Sequence, residues 1–323
     1  MLQFIRSKET IGAGETVATP LRSSRTKLAK RNWQLYILVL PALVYAALFQ
    51  YWPMYGIMIG FKNYNPALGI WGSSWADPWY YYFKLFFDSA WFVTTLKNTL
   101  ILAMYGFVVG SILPLLLALM INEVQNVVFK KTVQTVTYLP YFVSTVVLIG
   151  MVNLMFDNNG VINKLINMAG CPTYPFLTSD AGFVNLYVWS GVWQGTGYGA
   201  IVYFAALSNV SPELIEASVI DGANRFQRMI HVSLPAVIPT FIILLILGAG
   251  SIMNVSYEKV FLMQNYINLE ASEVINTYVY KTGILHAQYS LSTAVGLFNN
   301  IINMILMIIV NKIAGVVGET SLW

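Results

Sequence analysis

Residues 211–239 read Ser211-Pro212-Glu213-Leu214-Ile215-Glu216-Ala217-Ser218-Val219-Ile220-Asp221-Gly222-Ala223-Asn224-Arg225-Phe226-Gln227-Arg228-Met229-Ile230-His231-Val232-Ser233-Leu234-Pro235-Ala236-Val237-Ile238-Pro239. Ser211 followed by Pro212 reads as an N-cap and first helical residue. Glu213 and Glu216 fall in the first turns, where negative charge suits a helix N-terminus, and Arg225 and Arg228 fall near the far end. Ile215, Val219, Phe226 and Ile230 recur at roughly helical spacing. Gly222 interrupts that pattern, at about 1 kcal/mol relative to alanine in a helix interior. It predicts a turn needing positive φ, or a surface that another backbone approaches closely. Periodicity alone leaves two readings open: an ordinary amphipathic surface loop, or a docking element.

The stretch is the most charged part of the C-terminal half, and long apolar runs flank it on both sides. The whole chain has 323 residues, of which 57% are hydrophobic and only 10% charged. A soluble domain carries roughly 25% charged residues, so this composition predicts several membrane spans. The net charge of +4 is small and concentrated in the N-terminal tail, which excludes a nucleic-acid binder. One cysteine, Cys171, excludes an intramolecular disulfide and a cysteine zinc cluster, and reads as a small apolar filler. His231 and His286 are too few and too far apart for a histidine metal site. Ser24-x-x-Lys27 and Lys281-Thr282-Gly283 match fragments of a penicillin-binding set, but no Ser-Asp-Asn completes it. No G-x-x-x-x-G-K-[S/T] occurs, so the chain is not expected to bind ATP or any other cofactor itself.

Read in order, residues 1–32 form a polar basic tail, too long and mixed for a cleaved signal peptide. Six spans are predicted, at about 33–60, 94–121, 133–156, 183–207, 237–263 and 291–310. The membrane-spanning body therefore covers 33–314, with a loop at 208–236 and a short tail at 315–323. Pro41 and Pro53 should kink the first span, which is tolerated where neighbours satisfy the freed carbonyls; Pro114 lies inside the second span, and Pro140 follows Tyr138-Leu139 in the third. Gly191, Gly195, Gly197 and Gly199 mark a face where helices can approach closely. The aromatic-rich stretch 61–92 has the composition of an interfacial belt, though aromatic platforms also bind sugar rings.

Lysine and arginine set the orientation. With both termini inside, the inner segments hold Arg6, Lys8, Arg22, Arg25, Lys27, Lys30, Arg31, Lys130, Lys131, Arg225, Arg228 and Lys312. The outer segments hold Lys62, Lys84, Lys164 and Lys281, with Lys97 and Lys259 near span ends, and Glu258-Lys259 is expected to pair locally near the outer surface. The Gly222 loop is then cytoplasmic.

Glu216-Ala217-Ser218, three residues, Gly222, nine residues and Val232-Ser233-Leu234-Pro235 resemble the "EAA" loop of ABC importer permeases. That pattern is E-A-A, three residues, G, nine residues, I-x-L-P. Ser218 and Val232 are mild departures, and Asp221-Gly222-Ala223 is the form of the sugar-importing branch. Asn98-Thr99-Leu100, Tyr138-Leu139-Pro140, the long basic N-terminus and the ending Glu319-Thr320-Ser321-Leu322-Trp323 look like LplB-type polysaccharide and oligosaccharide permeases, alginate permeases among them. The maltose-transporter permeases are a more general likeness. The resemblance covers about residues 30–323.

What it implies is an all-α, polytopic membrane protein with the six-helix type I ABC importer permease fold in a bacterial cytoplasmic (inner) membrane. The implied partners are a second homologous permease, two cytoplasmic ATPase subunits carrying ATP and Mg, an extracytoplasmic solute-binding protein and a carbohydrate. Glu216 and Gly222, with Ala217, Ser218, Asp221 and Ala223, take the positions of the coupling helix that sits in the ATPase.

For the substrate path, polar groups inside spans are costly unless they line a cavity or pair with another helix. The candidates are Trp189, Trp193, Gln194, Tyr198, Asn254, Ser256, Tyr257, Asn299, Asn300 and Asn303, with interhelical hydrogen bonding as the equal alternative. Almost no cations fall within the predicted spans, so the sequence gives no support for an anionic substrate. Two rival classes remain. An ion-coupled secondary transporter needs intramembrane acids or bases, and an enzyme of lipid-linked sugars needs clustered Asp, Glu or His; neither is evident.

Overall fold

The computed structural model describes residues 33–316, so the predicted basic tail 1–32 and most of the tail 315–323 lie outside the described residues. Every regular element described is helical; one isolated antiparallel bridge joins Lys62 to Trp75. By their contacts the residues fall into two units, Met1–Tyr55 and Gly56–Trp323.

In the first unit, α1 (Trp33–Ala46) contains Pro41 and buries none of its residues. A helix that is apolar all round is one made for lipid or for another protein. The helical run continues through a π-turn, Ala47–Tyr51, into a 3-10 segment, Trp52–Phe61. Pro53 lacks the amide proton that would bond Phe49, so the run changes its winding instead of continuing as a simple kinked α-helix.

The second unit holds α2 (Tyr81–Phe87), α3 (Trp91–Asn122), α4 (Val127–Tyr138), α5 (Thr145–Phe156), α6 (Val161–Met168), α7 (Asp180–Leu207), α8 (Pro212–Ile220), α9 (Arg225–Arg228), α10 (Leu234–Ala249), α11 (Tyr257–Met263), α12 (Leu269–Ser272), α13 (Ile275–Tyr280) and α14 (Tyr289–Val316). Five helical runs are long and apolar enough to cross a membrane: Trp33–Phe61, Trp91–Asn122, Thr145–Met168, Arg225–Ala249 and Tyr289–Gly315. The predicted fourth span, α7, is 28 residues long, or about 42 Å. It is not among the five because its glycines, Asn185, Ser190, Gln194 and Thr196 dilute the apolar content.

Two predicted spans are broken, and each break is sealed by an amide side chain. The third gives way at the 3-10 turn Leu139–Phe142, where Pro140 supplies no donor. Val143 is extended there, and Ser144 caps α5 by accepting from Val147 N. Gln194 Nε2 donates to the freed Val143 carbonyl at 2.7 Å. The fifth ends at Ala249, not at Met263, and Ser256 caps a separate α11. In that break Asn303 Oδ1 accepts from Met253 N at 2.8 Å, and Asn276 Nδ2 donates to Val255 O at 2.6 Å. Irregular backbone at membrane depth is stable only when its polar groups are satisfied from within the protein.

The most extensive helix packing is α3 against α7. A Cβ on Gly199 would lie 3.2 Å from Pro114 Cγ, and one on Gly197 would lie 2.0 Å from Thr137 O of α4. Helices approach closely at these two glycines, against backbone at Gly197 and against the proline ring at Gly199, as the small-residue face predicts; Gly195 meets nothing within 4 Å. Around the crossing, Leu115, Ala118 and Leu119 pack with Ala200, Tyr203, Leu207 and Val237. A second cluster joins Leu102, Leu148, Ile149, Phe183 and Leu186 to Val260, Met263 and Val274.

The stretch 264–289, predicted as a polar loop, is a packed element. Glu273 is 4% exposed, pairs with Lys281 and accepts from Gln264 Nε2 and Thr277 Oγ1. The start of α3 holds it: Asn98 Nδ2 donates to the carbonyls of Glu270 and Glu273 at 2.7 and 3.0 Å, and Thr99 Oγ1 accepts from Ile275 N. The aromatic belt also differs in part from expectation. Phe86 is buried with Met253, Ile275, Leu291 and Val295, and Lys62 is 3% exposed over the Trp75 ring. Cys171 is exposed, not an apolar filler, because it follows the positive-φ turn at Gly170 that ends α6.

Candidate functional site

Ser211 caps α8 through Glu213 N at 3.2 Å, with Pro212 in the first turn. The turn expected at Gly222 is present, and it separates two helices. Gly222 has φ +80°. Gly222 N donates to Val219 O at 3.0 Å and Ala223 N to Ser218 O at 2.9 Å, which is the Schellman pair of a helix C-terminus. Two residues later Asn224 opens α9 with a reciprocal capping box. Its Oδ1 accepts from Gln227 N at 2.9 Å, and Gln227 Oε1 accepts from Asn224 N at 2.8 Å. Turn and box together fix the angle between α8 and α9 with few free torsions.

Glu216, Ala217, Asp221 and Gly222 are exposed, and Ser218 and Ala223 are half-buried. Ser218, the departure from the alanine of the motif, donates to Ile215 O at 2.6 Å, so its hydroxyl is satisfied within its own helix. A hollow of about 420 Å³ opens behind the turn, lined by Ser218, Asp221, Ala223, Arg228 and His231 among others. All six motif positions thus fall on one compact projection.

Sequence reading missed what holds that projection to the body. Arg228 Nη2 lies 2.9 Å from Glu123 Oε2, each side chain 16% exposed, and Arg228 Nη1 donates to Ala223 O at 3.3 Å. Glu123 directly follows α3, so one ion pair joins the end of the longest packed helix to the carbonyl beside Gly222. The partners are 105 residues apart, and neither local pattern points to the other.

The path candidates do not converge on one place. Trp189 and Trp193 are about half exposed and border apolar hollows on α7. Trp189 Nε1 donates to Tyr105 OH at 2.9 Å, and Tyr105 OH bonds Asn185 Oδ1 at 3.1 Å. Above them lies a polar cleft of about 490 Å³ whose lining includes Lys97, Asp180, Asn185 and Glu270. Gln194 seals the α4–α5 break, and exposed Tyr198 stacks on Tyr141 at 3.8 Å. Asn254 Oδ1 accepts from both Asn299 Nδ2 and Asn303 Nδ2, at 3.3 and 3.0 Å, with Asn299 and Asn303 buried. That trio therefore ties α14 to the break at 250–256. Tyr257 stacks on Tyr280 at 5.1 Å, and Asn300 and Ser256 are exposed at their helix surfaces.

Lys259 corrects an expectation. It makes no pair with Glu258; it is 8% exposed and its Nζ donates to Tyr187 O of α7 at 2.7 Å, 4.6 Å from the centre of the Tyr187 ring. The break at 250–256 turns α11 inward, so a lysine expected near the outer surface enters the helix packing.

Helices long enough to cross a bilayer, side chains that seal their breaks, and a braced polar projection are the features of an integral membrane protein. The chain belongs to the family of binding-protein-dependent transport system inner membrane components, which residues 110–317 match. It is 43% identical to Protein LplB of Bacillus subtilis (strain 168) over 286 residues, 88% of this chain and 89% of that one. It is 39% identical to the polygalacturonan/rhamnogalacturonan transport system permease protein YteP of the same organism, over 92% of each chain. A solved bacterial alginate ABC transporter, in complex with an alginate pentasaccharide-bound periplasmic protein, contains a chain of the same fold. The TM-score is 0.83 at 34% identity, covering 92% of this chain and 99% of that one. As a member of this family, the chain is an inner-membrane permease that works with a binding protein, and it is a transport subunit, not an enzyme. Membership sets aside the ion-coupled and lipid-linked alternatives.

Proposed function

We propose that this chain is the permease of an ATP-driven importer that moves an oligosaccharide or polysaccharide fragment handed over by an extracytoplasmic binding protein. It pairs with a second, homologous permease on two cytoplasmic ATPase subunits, which carry the ATP and Mg; both termini and the 211–230 loop face the cytoplasm. The loop docks in the ATPase, and closure of the ATPases drives alternating access through α8 and its brace. The substrate class rests on relatives named for sugar polymers: the pectin-type permease and the alginate transporter.

The observation that carries the coupling role is the geometry of the loop. Four of its six motif residues, Glu216, Ala217, Asp221 and Gly222, are exposed, yet the turn and capping box hold the loop in one conformation. A coupling element must keep its shape in both transport states, since a ligand or partner shifts an equilibrium only through differential contacts. A cysteine at Ala223, after replacement of the exposed Cys171, tests this by disulfide trapping against cysteines around the ATPase cleft. The expected result is a cross-link whose yield changes with ATP. Its absence from an intact complex refutes the docking role. Glu216→Lys is expected to weaken recovery of the ATPase with the permease, and undiminished recovery counts against the role of Glu216.

A further inference from the structure

A charged cleft beside the starts of α3 and α7 has no part in the coupling role. It holds about 490 Å³ and is lined by Lys97 and Asn98 of α3, Asp180 and Asn185 of α7, and Glu270 of α12. Lys97, Asp180 and Glu270 are exposed, so the cleft is open to a ligand. Among the described residues none of these three side chains makes an ion pair or a hydrogen bond. Asn98 gives a second observation. It is 7% exposed, and its Nδ2 is spent on the carbonyls of Glu270 and Glu273. Its Oδ1 accepts no bond among the described residues. A buried acceptor without a donor, at the wall of a cleft, suits a ligand's N–H or O–H.

The cleft lies at a membrane boundary. α3 starts at Trp91, an interfacial residue type, and Lys97 follows within two turns. Tyr105 and Trp189 lie eight residues beyond Lys97 and Ala181, about 12 Å along the helices. One leaflet of hydrocarbon is about 15 Å deep. Over that depth the face is open: Ile101 is 41% exposed and Trp189 49%. Trp189 Nε1 donates to Tyr105 OH, which donates to Asn185 Oδ1, so these groups satisfy one another and present ring surface outward. Beyond Trp189 an apolar hollow of about 550 Å³ continues between Leu113, Leu116, Val192 and Trp193. Charges at the boundary above an apolar floor one leaflet deep match the outline of a phospholipid.

We propose that this cleft is a phospholipid site selective for a primary-ammonium headgroup, that of phosphatidylethanolamine, with the acyl chains lying over Ile101, Tyr105 and Trp189. Lys97 pairs with the phosphate. The carboxylates of Asp180 and Glu270 and the Oδ1 of Asn98 supply three acceptors, one for each N–H of the ammonium. A choline headgroup has no N–H to donate. A headgroup with a phosphate and no ammonium meets two carboxylates without compensation. The inference does not depend on the carbohydrate reading; a sugar is the rival occupant, and the apolar floor favours the lipid.

The test uses the assembled transporter, purified in detergent and stripped of lipid. It is titrated with phosphatidylethanolamine and with the mono-, di- and trimethylated headgroups on the same acyl chains. Bound lipid is counted by native mass spectrometry, and the melting temperature is followed in parallel. Affinity is expected to fall with each methyl group, by about tenfold or more over the series, the usual scale for hydrogen bonds to charged groups. Glu270→Gln should flatten the series by weakening the primary-ammonium lipid most. Lys97→Met should weaken all four lipids alike, through the phosphate. Neither side chain makes a bond within the chain, and if one variant does not assemble the other decides. Equal affinity across the series in wild type, or an unchanged series in the variants, overturns the site. So does the absence of lipid binding. Displacement of the bound lipid by a neutral oligosaccharide also overturns it, and assigns the cleft to the cargo instead.

Discussion

Gly222 offers the sharpest test of how the loop works, because two causes for a glycine there predict opposite orders among substitutions. Its φ of +80° is a left-handed conformation, and a Cβ built on it meets nothing within 4 Å in this chain. The cost of a side chain is therefore conformational: about 1–2 kcal/mol for alanine, more for a β-branched residue, and less for asparagine, which tolerates this region. At 1.4 kcal/mol per factor of ten, Gly222→Ala should lower the equilibrium constant for the native turn by about five- to thirtyfold relative to wild type. Gly222→Val should go further and Gly222→Asn less far. The turn is local, so insertion and the packing of α3 on α7 should survive. The assay is ATP-dependent uptake by the complex, with recovery of the ATPase as a second reading. The expected order is Gly, Asn, Ala, Val. If alanine works better than asparagine, side-chain size is what matters and the glycine serves a close approach by the partner. Full uptake by Gly222→Val refutes the role of the turn altogether.

Glu123→Gln and Arg228→Gln should each reduce the thermal stability of the purified chain and its coupling, and a double-mutant cycle should return an interaction of about 1 kcal/mol; additive effects refute the brace. Gly197→Ala should be severely destabilising, since its methyl would sit 2.0 Å from Thr137 O, while Gly195→Ala should be near neutral; comparable melting temperatures for the two refute the packing of α7 on α4. Asn98→Ala removes a donor from two carbonyls and should destabilise by about 1–3 kcal/mol, checked by thermal unfolding in detergent.

Composition and apolar runs made the helical membrane fold legible, because a bilayer leaves few ways to satisfy a backbone. The projection was legible for a different reason: caps, a positive-φ glycine and motif spacing are all local in sequence. The long helix α7 was read within three residues at its start and to the residue at its end. Span breaks were not legible. Pro140 stood inside the predicted third span, but whether a chain runs on, kinks or stops at a proline depends on whether a partner such as Gln194, 51 residues away from Val143, reaches the freed carbonyl. The stretch 264–289 read as loop because it is polar, yet its polar groups satisfy one another across three short helices. Lys259 was misplaced for the same reason, since its partner lies 72 residues away on another helix. The asparagines of the supposed path illustrate the converse: polar residues in apolar helices stand out in sequence, but only the fold distinguishes a lining from a bond.

Proline 114 has a mechanical consequence. Wedged against Gly199, it marks a close crossing of α3 with α7. One arm of the helix runs from there to the acid that grips the projection, about 13 Å away, and the other to the asparagine that grips the 270–275 segment, about 24 Å away. A helix tilting about that crossing is a lever with unequal arms. A sideways push of 1 Å at the short end would arrive as about 2 Å at the long end. Small strokes at the projection would thus be geared up at the opposite end of the helix, with no need for the bundle itself to deform.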